Sequence, residues 1–253
     1  MDPLRGKKAL VTGGGSGIGN AIVRELAARG AEVLIHYFKS GDSARALSEE
    51  IRSAGGSAEA VQADLTGEDG ARSLAEVAER RWGSLDVLVN NTGDLVGRRK
   101  LEEADLDFYR SVMAVNLDSL VFVTRALIPL LRKPGAASIV NLSSLAGRKG
   151  GHGGSLVYST AKGAVLSFTR SLSTELAPDG IRVNAVAPGL ILGSAFHRIH
   201  TTEESKRATI RDIPLRRAGT CEDVARAVAF LAGEYDGFIT GATLDINGGV
   251  YMA

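Results

Sequence analysis

Short aliphatic and β-branched runs alternate with amphipathic stretches along the whole of this chain, and that alternation constrains its fold more than any other feature. Residues 7–12, 32–37, 57–62, 85–90, 137–142, 181–187 and 243–246 read as strands. Residues 17–29, 42–54, 67–81, 156–177 and 220–232 read as helices, and 102–131 as two helices in near succession. In the first helix Ile18, Ile22, Val23 and Leu26 fall on one face, and Gly30 follows its last turn. Near-continuously apolar strands separated by helices imply a parallel sheet with helices on both faces. Right-handed crossovers then give a doubly wound sheet.

The turn after the first strand reads Thr12-Gly13-Gly14-Gly15-Ser16-Gly17-Ile18-Gly19. Glycine lets the backbone turn tightly and approach a ligand where a Cβ would clash. A helix opening inside such a turn presents unpaired N–H groups and a partial positive charge, which suit a pyrophosphate. Its place between a first strand and a first helix is the context a dinucleotide site requires. Gly13, Gly15, Ser16, Gly17, Ile18 and Gly19 are the candidate contacts. The expected fold class is α/β, a single-domain Rossmann-type doubly wound parallel sheet of about seven strands. Residues 1–150 would form the dinucleotide-binding half, and residues 190–212, after strand six, a small helical lid. No linker or internal repeat divides the chain.

Tyr158 and Lys162 stand four apart at the start of a helix, so both reach the same space. A free tyrosine, with a pKa of about 10, is a poor base at neutral pH, and a nearby ammonium lowers that value. The pair then becomes a workable acid or base for an alcohol/carbonyl couple. Strand five ends in Asn141-Leu142-Ser143-Ser144, at the sheet edge where such folds bind ligands. A serine hydroxyl there can hydrogen-bond a substrate oxygen as charge develops on it. Asn116 interrupts an apolar helical run; taken alone, it reads as a satisfied core amide or a kink.

The spacing T-G-x-x-x-G-x-G resembles that of the short-chain dehydrogenase/reductase family, and the resemblance extends over nearly the whole chain. It implies a catalytic tetrad of Asn116, Ser144, Tyr158 and Lys162. In that family the tyrosine transfers the proton and the serine polarises the carbonyl. The lysine binds ribose and tunes the tyrosine, and the asparagine holds a relay water. The gap from Ser144 to Tyr158 is one residue longer than the family's usual one, and the glycine-rich run 150–154 can absorb it. Asp64 and Leu65 match the pair that brackets adenine. Asn90-Asn91-Thr92-Gly93 matches the family's N-N-A-G with threonine for alanine. Asn184, Pro188, Gly189 and Ile191 match the segment beside the nicotinamide, and 245–249 the C-terminal strand. The resemblance also implies an NAD(P)-dependent oxidoreductase and a homotetramer built through 102–131, 156–177 and the C-terminal segment.

NADP is preferred over NAD. No acid lies at the end of strand two, where the NAD type carries one. Tyr37 stands there instead, and Lys39 and His36 could face a phosphate. Against this, Ser16 stands where many NADP-type members carry a base.

Three loops should meet the substrate, and all are rich in cations: Arg98, Arg99 and Lys100; Arg148, Lys149 and His152; His197, Arg198 and His200. Arginine suits carboxylate or phosphate recognition, so an anionic substrate is expected, with Arg98, Arg99, Arg148, His152, His197 and Arg198 as candidate contacts. Local wording is similar to the keto-uronate reductases of alginate breakdown, and the full length to the 3-oxoacyl-[acyl-carrier-protein] reductases. The first implies a keto sugar acid; the second implies a thioester carried by an acyl-carrier protein. A non-catalytic regulator or structural subunit with the same fold is the alternative, but such members usually lose the tyrosine or the lysine.

A formal net charge of +1 argues against a nucleic-acid partner. Cys221 is the one cysteine, so no intramolecular disulfide forms, and the four histidines carry no metal pattern. No secretory leader and no run of roughly 20 apolar residues is expected, and the reading is cytoplasmic.

Overall fold

A computed structural model of the protein describes residues 2–193, 203–233 and 237–253. The strands are β1 (Lys8–Val11), β2 (Glu32–Tyr37), β3 (Ser57–Gln62), β4 (Val87–Asn90), β5 (Ala137–Leu142), β6 (Ile181–Pro188), β7 (Ile191–Leu192), β8 (Gly219–Thr220) and β9 (Thr243–Ile246). The helices are α1 (Gly17–Ala28), α2 (Gly41–Ser53), α3 (Glu68–Trp82), α4 (Leu106–Met113), α5 (Ser119–Leu131), α6 (Leu145–Lys149), α7 (Leu156–Leu176), α8 (Glu203–Asp212) and α9 (Cys221–Ala232).

Seven strands form one parallel sheet in the order β3-β2-β1-β4-β5-β6-β9. The chain winds from β1 outward to β3, then returns past β1 to β4 and outward again. β1 and β4 therefore flank a switch point, where crossovers on either side leave a crevice at the carboxyl ends of the strands. Each face of the sheet carries its own core. Ile22, Leu26, Val33, Ile35, Val228 and Leu231 pack one face, under α1, α2 and α9. Leu10, Leu34, Leu74, Leu88, Leu127 and Leu176 pack the other, under α3, α5 and α7. Burial on both faces is why these strands read as apolar runs rather than as alternating ones.

Three details beyond the sequence reading affect the site. The 102–131 stretch is α4 and α5 joined by a π-helical turn at Ala114–Asp118, and that turn carries Asn116. Helix α6 stands where the sequence reads only as a loop. Strands β7 and β8 pair as a separate two-stranded sheet. The run Leu106–Leu131 is, by length and composition alone, apolar enough to cross a membrane. Its α5 part lies in the core, with Val123, Leu127, Leu130 and Leu131 buried against β4 and α3.

Candidate active site

The carboxyl ends of β1, β4, β5 and β6 open into one cleft of about 780 Å³. One end is the glycine-rich turn, with Gly13, Ser16, Gly17, Ile18 and Gly19 on the wall. Gly13 has a φ of +63°, which a side chain would strain. A Cβ on Gly19 would lie 2.2 Å from the Gly13 carbonyl oxygen, so only glycine lets α1 start this close to β1. The first N–H groups of α1 have no carbonyl within the helix to bond, and they open toward the cleft. This cradle fits a dinucleotide pyrophosphate. Asn91, Thr92, Gly93, Pro188, Gly189 and Ile191 continue the wall. The Asn91 amide ties β4 to the turn, donating to the carbonyls of Thr12 and Gly13 at 3.0 and 3.1 Å. The Thr92 hydroxyl is buried without a hydrogen-bond partner.

Ser144, Tyr158 and Lys162 lie together in the middle of the cleft. Ser144 caps α6, its hydroxyl accepting from the Ala146 N–H at 3.1 Å, and it hydrogen-bonds the Tyr158 phenol. Ser143 points elsewhere: its hydroxyl donates to the Lys162 carbonyl at 2.8 Å. The Lys162 ammonium donates to the Leu142 carbonyl at 2.9 Å and sits 5.9 Å from the centre of the Tyr158 ring. Asn116 is wholly buried beside them. Its amide donates to the carbonyls of Asp94 and Val112 at 2.6 and 2.9 Å, and its oxygen accepts from the Asp94 N–H at 3.2 Å. A Cβ on Gly93 would stand 2.8 Å from both the Asn116 oxygen and Lys162 Nζ, so the two converge on that glycine.

Burial governs the charges here. It pushes the Tyr158 phenol up to about 12; the Ser144 hydrogen bond opposes this and the Asp94 charge adds to it. Burial also pushes Lys162 down to about 8. The sequence reading has the lysine lowering the tyrosine; burial of the phenol acts in the opposite direction. Tyr158 is thus set as a proton donor at neutral pH.

Several expected contacts lie elsewhere. Arg99 is paired with Asp105 at 2.6 Å, and Arg148 with Asp245 at 2.8 Å, and neither lines the cleft. Both long side chains turn to acids supplied by the fold rather than into the cleft. Arg98, Lys149 and His152 do line the cleft, as do the acids Asp94 and Asp212, which the sequence reading passes over. His197, Arg198 and His200 fall outside the described residues. His36 is buried and hydrogen-bonded through both ring nitrogens to backbone groups, so it does not face a phosphate. Gly15 lies behind the wall, where a Cβ would strike the Ser40 hydroxyl. Asp64 and Leu65 are also outside the cleft: Leu65 is buried, and Asp64 accepts from the Thr66 N–H and hydroxyl at 3.0 and 2.7 Å.

Tyr37 and Lys39 line a second, smaller cavity of about 320 Å³ at the end of β2, with Arg45 of α2. Arg45 donates to the Tyr37 hydroxyl at 3.0 Å and to Asp42 at 2.6 Å. The signal for Arg45 was its place one turn into the helix that follows the expected phosphate loop.

A doubly wound parallel sheet with a glycine-lined crevice and a Ser-Tyr-Lys cluster inside it defines an oxidoreductase of CH–OH and C=O groups. The family model described as enoyl-(acyl carrier protein) reductase matches residues 13–251, and the chain belongs to the short-chain dehydrogenase/reductase family. It is 38% identical to the 3-oxoacyl-[acyl-carrier-protein] reductase FabG of Staphylococcus aureus, over 97% of this chain and 98% of that protein. Its fold is similar to the crystal structure of NADH-dependent reductase A1-R′, responsible for alginate metabolism, with a TM-score of 0.89 and 34% identity over 99% of both chains. A blue fluorescent protein from a metagenomic library, crystallised with NADPH, matches with a TM-score of 0.90 and 36% identity, over 99% of this chain and 100% of that one.

Proposed function

We propose that this chain is an NADP(H)-preferring reductase of an anionic keto substrate, with a keto sugar acid as the first choice. The observation that carries this reading is the shared cleft. Ser144, Tyr158 and Lys162 stand between the glycine turn on one side and Arg98, Lys149 and His152 on the other. The two acids in the same wall, Asp94 and Asp212, suit the hydroxyls of a sugar acid, while the cations suit its carboxylate. The likeness to a reductase of alginate metabolism supports the same choice. A 3-oxoacyl thioester on an acyl-carrier protein is the second reading, favoured by the FabG relative.

A nicotinamide bound in the cleft would supply the hydride. The protein's residues handle the oxygen. Ser144 and Tyr158 donate hydrogen bonds to the carbonyl and polarise it. Tyr158, kept protonated by burial, releases its proton to that oxygen as the carbon is reduced. The Lys162 ammonium then offsets the phenolate left behind, and Asn116 fixes the Asp94 backbone and the floor beneath Gly93. Gly13, Ser16, Gly17, Ile18 and Gly19 would hold the pyrophosphate, with Asn91, Thr92 and Gly93 beside the ribose and Pro188, Gly189 and Ile191 beside the nicotinamide. Asp64 and Leu65 would bracket the adenine, and Tyr37, Lys39 and Arg45 a ribose phosphate.

Ser205, Thr209 and Asp212 of α8 reach the cleft wall, which supports reading 190–212 as a lid over a single domain spanning 1–253. A cytoplasmic homotetramer completes the reading.

The test follows the loss of nicotinamide absorbance from NADPH, then NADH, against a keto-uronate, an acetoacetyl thioester, keto sugars and simple diketones. Turnover confined to the keto-uronate supports the first reading, and preference for the thioester supports the second. Turnover unchanged in Tyr158→Phe would refute the mechanism.

A further inference from the structure

His36 lies near the end of β2 with 2% of its surface exposed. Its Nδ1 accepts a hydrogen bond from the Gly13 N–H at 3.0 Å, and its Nε2 lies 3.0 Å from the Ala63 carbonyl oxygen. A carbonyl can only accept, so Nε2 carries the proton and Nδ1 is bare. The ring is therefore neutral and held in one tautomer. The His36 backbone carbonyl also accepts from the Gly14 N–H at 2.8 Å. One residue thus holds two consecutive N–H groups of the glycine turn. On its other side, the Gly13 carbonyl accepts from the Asn91 amide at 3.1 Å. Gly13 has a φ of +63° and no side chain of its own to hold that conformation.

We propose that His36 is a positioning residue for the dinucleotide site, its Nδ1 fixing the Gly13 peptide so that the turn and the first N–H groups of α1 meet the pyrophosphate. The proposal rests on the dinucleotide reading of the cleft. It gives the two ring nitrogens separate roles. The Gly13 bond shapes the phosphate cradle, and the Ala63 bond orients the ring by tying it to the strand end just before Asp64. Without the acceptor, the Gly13 N–H loses its hydrogen-bond partner and the peptide must turn to find another.

The two roles can be separated because each nitrogen has its own isostere. The Oδ1 of asparagine falls where Nδ1 stands and can accept from Gly13. The Nε2 of glutamine falls where the ring Nε2 stands and can donate to Ala63. The experiment is a fluorescence titration of NADPH into substrate-free protein for wild type, His36→Asn, His36→Gln and His36→Leu, with a melting curve for each. Asparagine should bind within about threefold of wild type, whereas glutamine and leucine should weaken binding about tenfold or more, as loss of one buried acceptor implies. Should leucine prevent folding, the comparison of asparagine with glutamine still decides. Wild-type affinity in all variants, or asparagine no better than glutamine, overturns the role given to His36 and leaves the cleft reading standing. A wild-type protein that binds neither NADPH nor NADH overturns both.

Discussion

Arg148 and Asp245 form a two-pronged ion pair, Nε to Oδ1 at 3.0 Å and Nη2 to Oδ2 at 2.8 Å, with both side chains mostly buried. The guanidinium also lies over the Tyr251 ring, 5.7 Å from its centre. Arg148 sits on α6, between Ser144 at its cap and Tyr158 beyond the glycine run, while Asp245 sits on the outermost strand β9. The pair thus anchors the segment that joins two catalytic groups to the far side of the sheet.

Removing one partner strands the other charge, so Arg148→Ala and Asp245→Ala should each destabilise the fold by about 2 kcal/mol or more. The double variant should lose less than the sum of the two. The rate constant kcat should fall with the loosening of Ser144, while NADPH affinity stays within a few-fold. Thermal melts and saturation kinetics on the four proteins check this, and a strictly additive double variant would refute the coupling.

Lys162 should make activity and stability move in opposite directions above neutral pH. Burial lowers its pKa to about 8 from 10.5. Between those values the unfolded chain binds a proton that the folded protein does not, so folding stability rises with pH across that window. Over the same window the folded enzyme loses the ammonium that offsets the Tyr158 phenolate, so kcat/KM for reduction falls as pH rises through about 8. Lys162→Met should abolish the stability rise and lower turnover at least about a hundredfold. Melting temperatures and rates across that range test it, and a methionine variant that keeps the stability rise would count against the assignment.

The positions of the strands were legible because parallel strands buried on both faces leave mostly apolar runs, as in 87–90 and 137–142. The glycine turn and the pair Tyr158/Lys162 were legible because spacing alone puts those groups together. Helix α6 was not: five residues are too few to show a helical period, and its start depends on the Ser144 cap. The pairing of Arg148 was not legible because its partner, Asp245, is 97 residues away along the chain. His36 was misread for a similar reason. Strand alternation gives the side of the sheet a residue faces, but not the backbone groups it meets there. Asp94 was overlooked because its importance comes from Asn116, which a π-helical turn brings against its backbone from a different segment.

Acid should destabilise the protein through His36. Burial is the largest influence on the ring and brings it to about 4 from 6.5, while the bond to Ala63 and the charge of Asp64 partly oppose the shift. Between these values the unfolded chain binds the extra proton and the folded chain does not. Stability is therefore complete above about pH 6.5 and is lost progressively as pH falls toward about 4, by up to about 3 kcal/mol. His36→Asn, which cannot titrate, should flatten the melting temperature over this range. A variant as acid-labile as wild type would move the effect to another group.

The cavity at the end of β2 should decide between the two nicotinamide cofactors. Lys39 and Arg45 place two cations on its wall, and Arg45 is held in place by the Tyr37 hydroxyl and by Asp42. A ribose 2′-phosphate entering there would compete with Asp42 for the guanidinium and gain charge-assisted hydrogen bonds. A ribose hydroxyl carries no such charge. Arg45→Ala and Lys39→Ala should therefore each raise the NADPH dissociation constant about tenfold while leaving that of NADH within about twofold. Asp42→Asn should do the reverse and tighten NADPH, because it removes the competing carboxylate and its repulsion of the phosphate. Both series should shrink at high salt, since these side chains are exposed and their charges are screened. Equal losses for NADPH and NADH in the arginine variant would mean that Arg45 supports the loop rather than reading the phosphate.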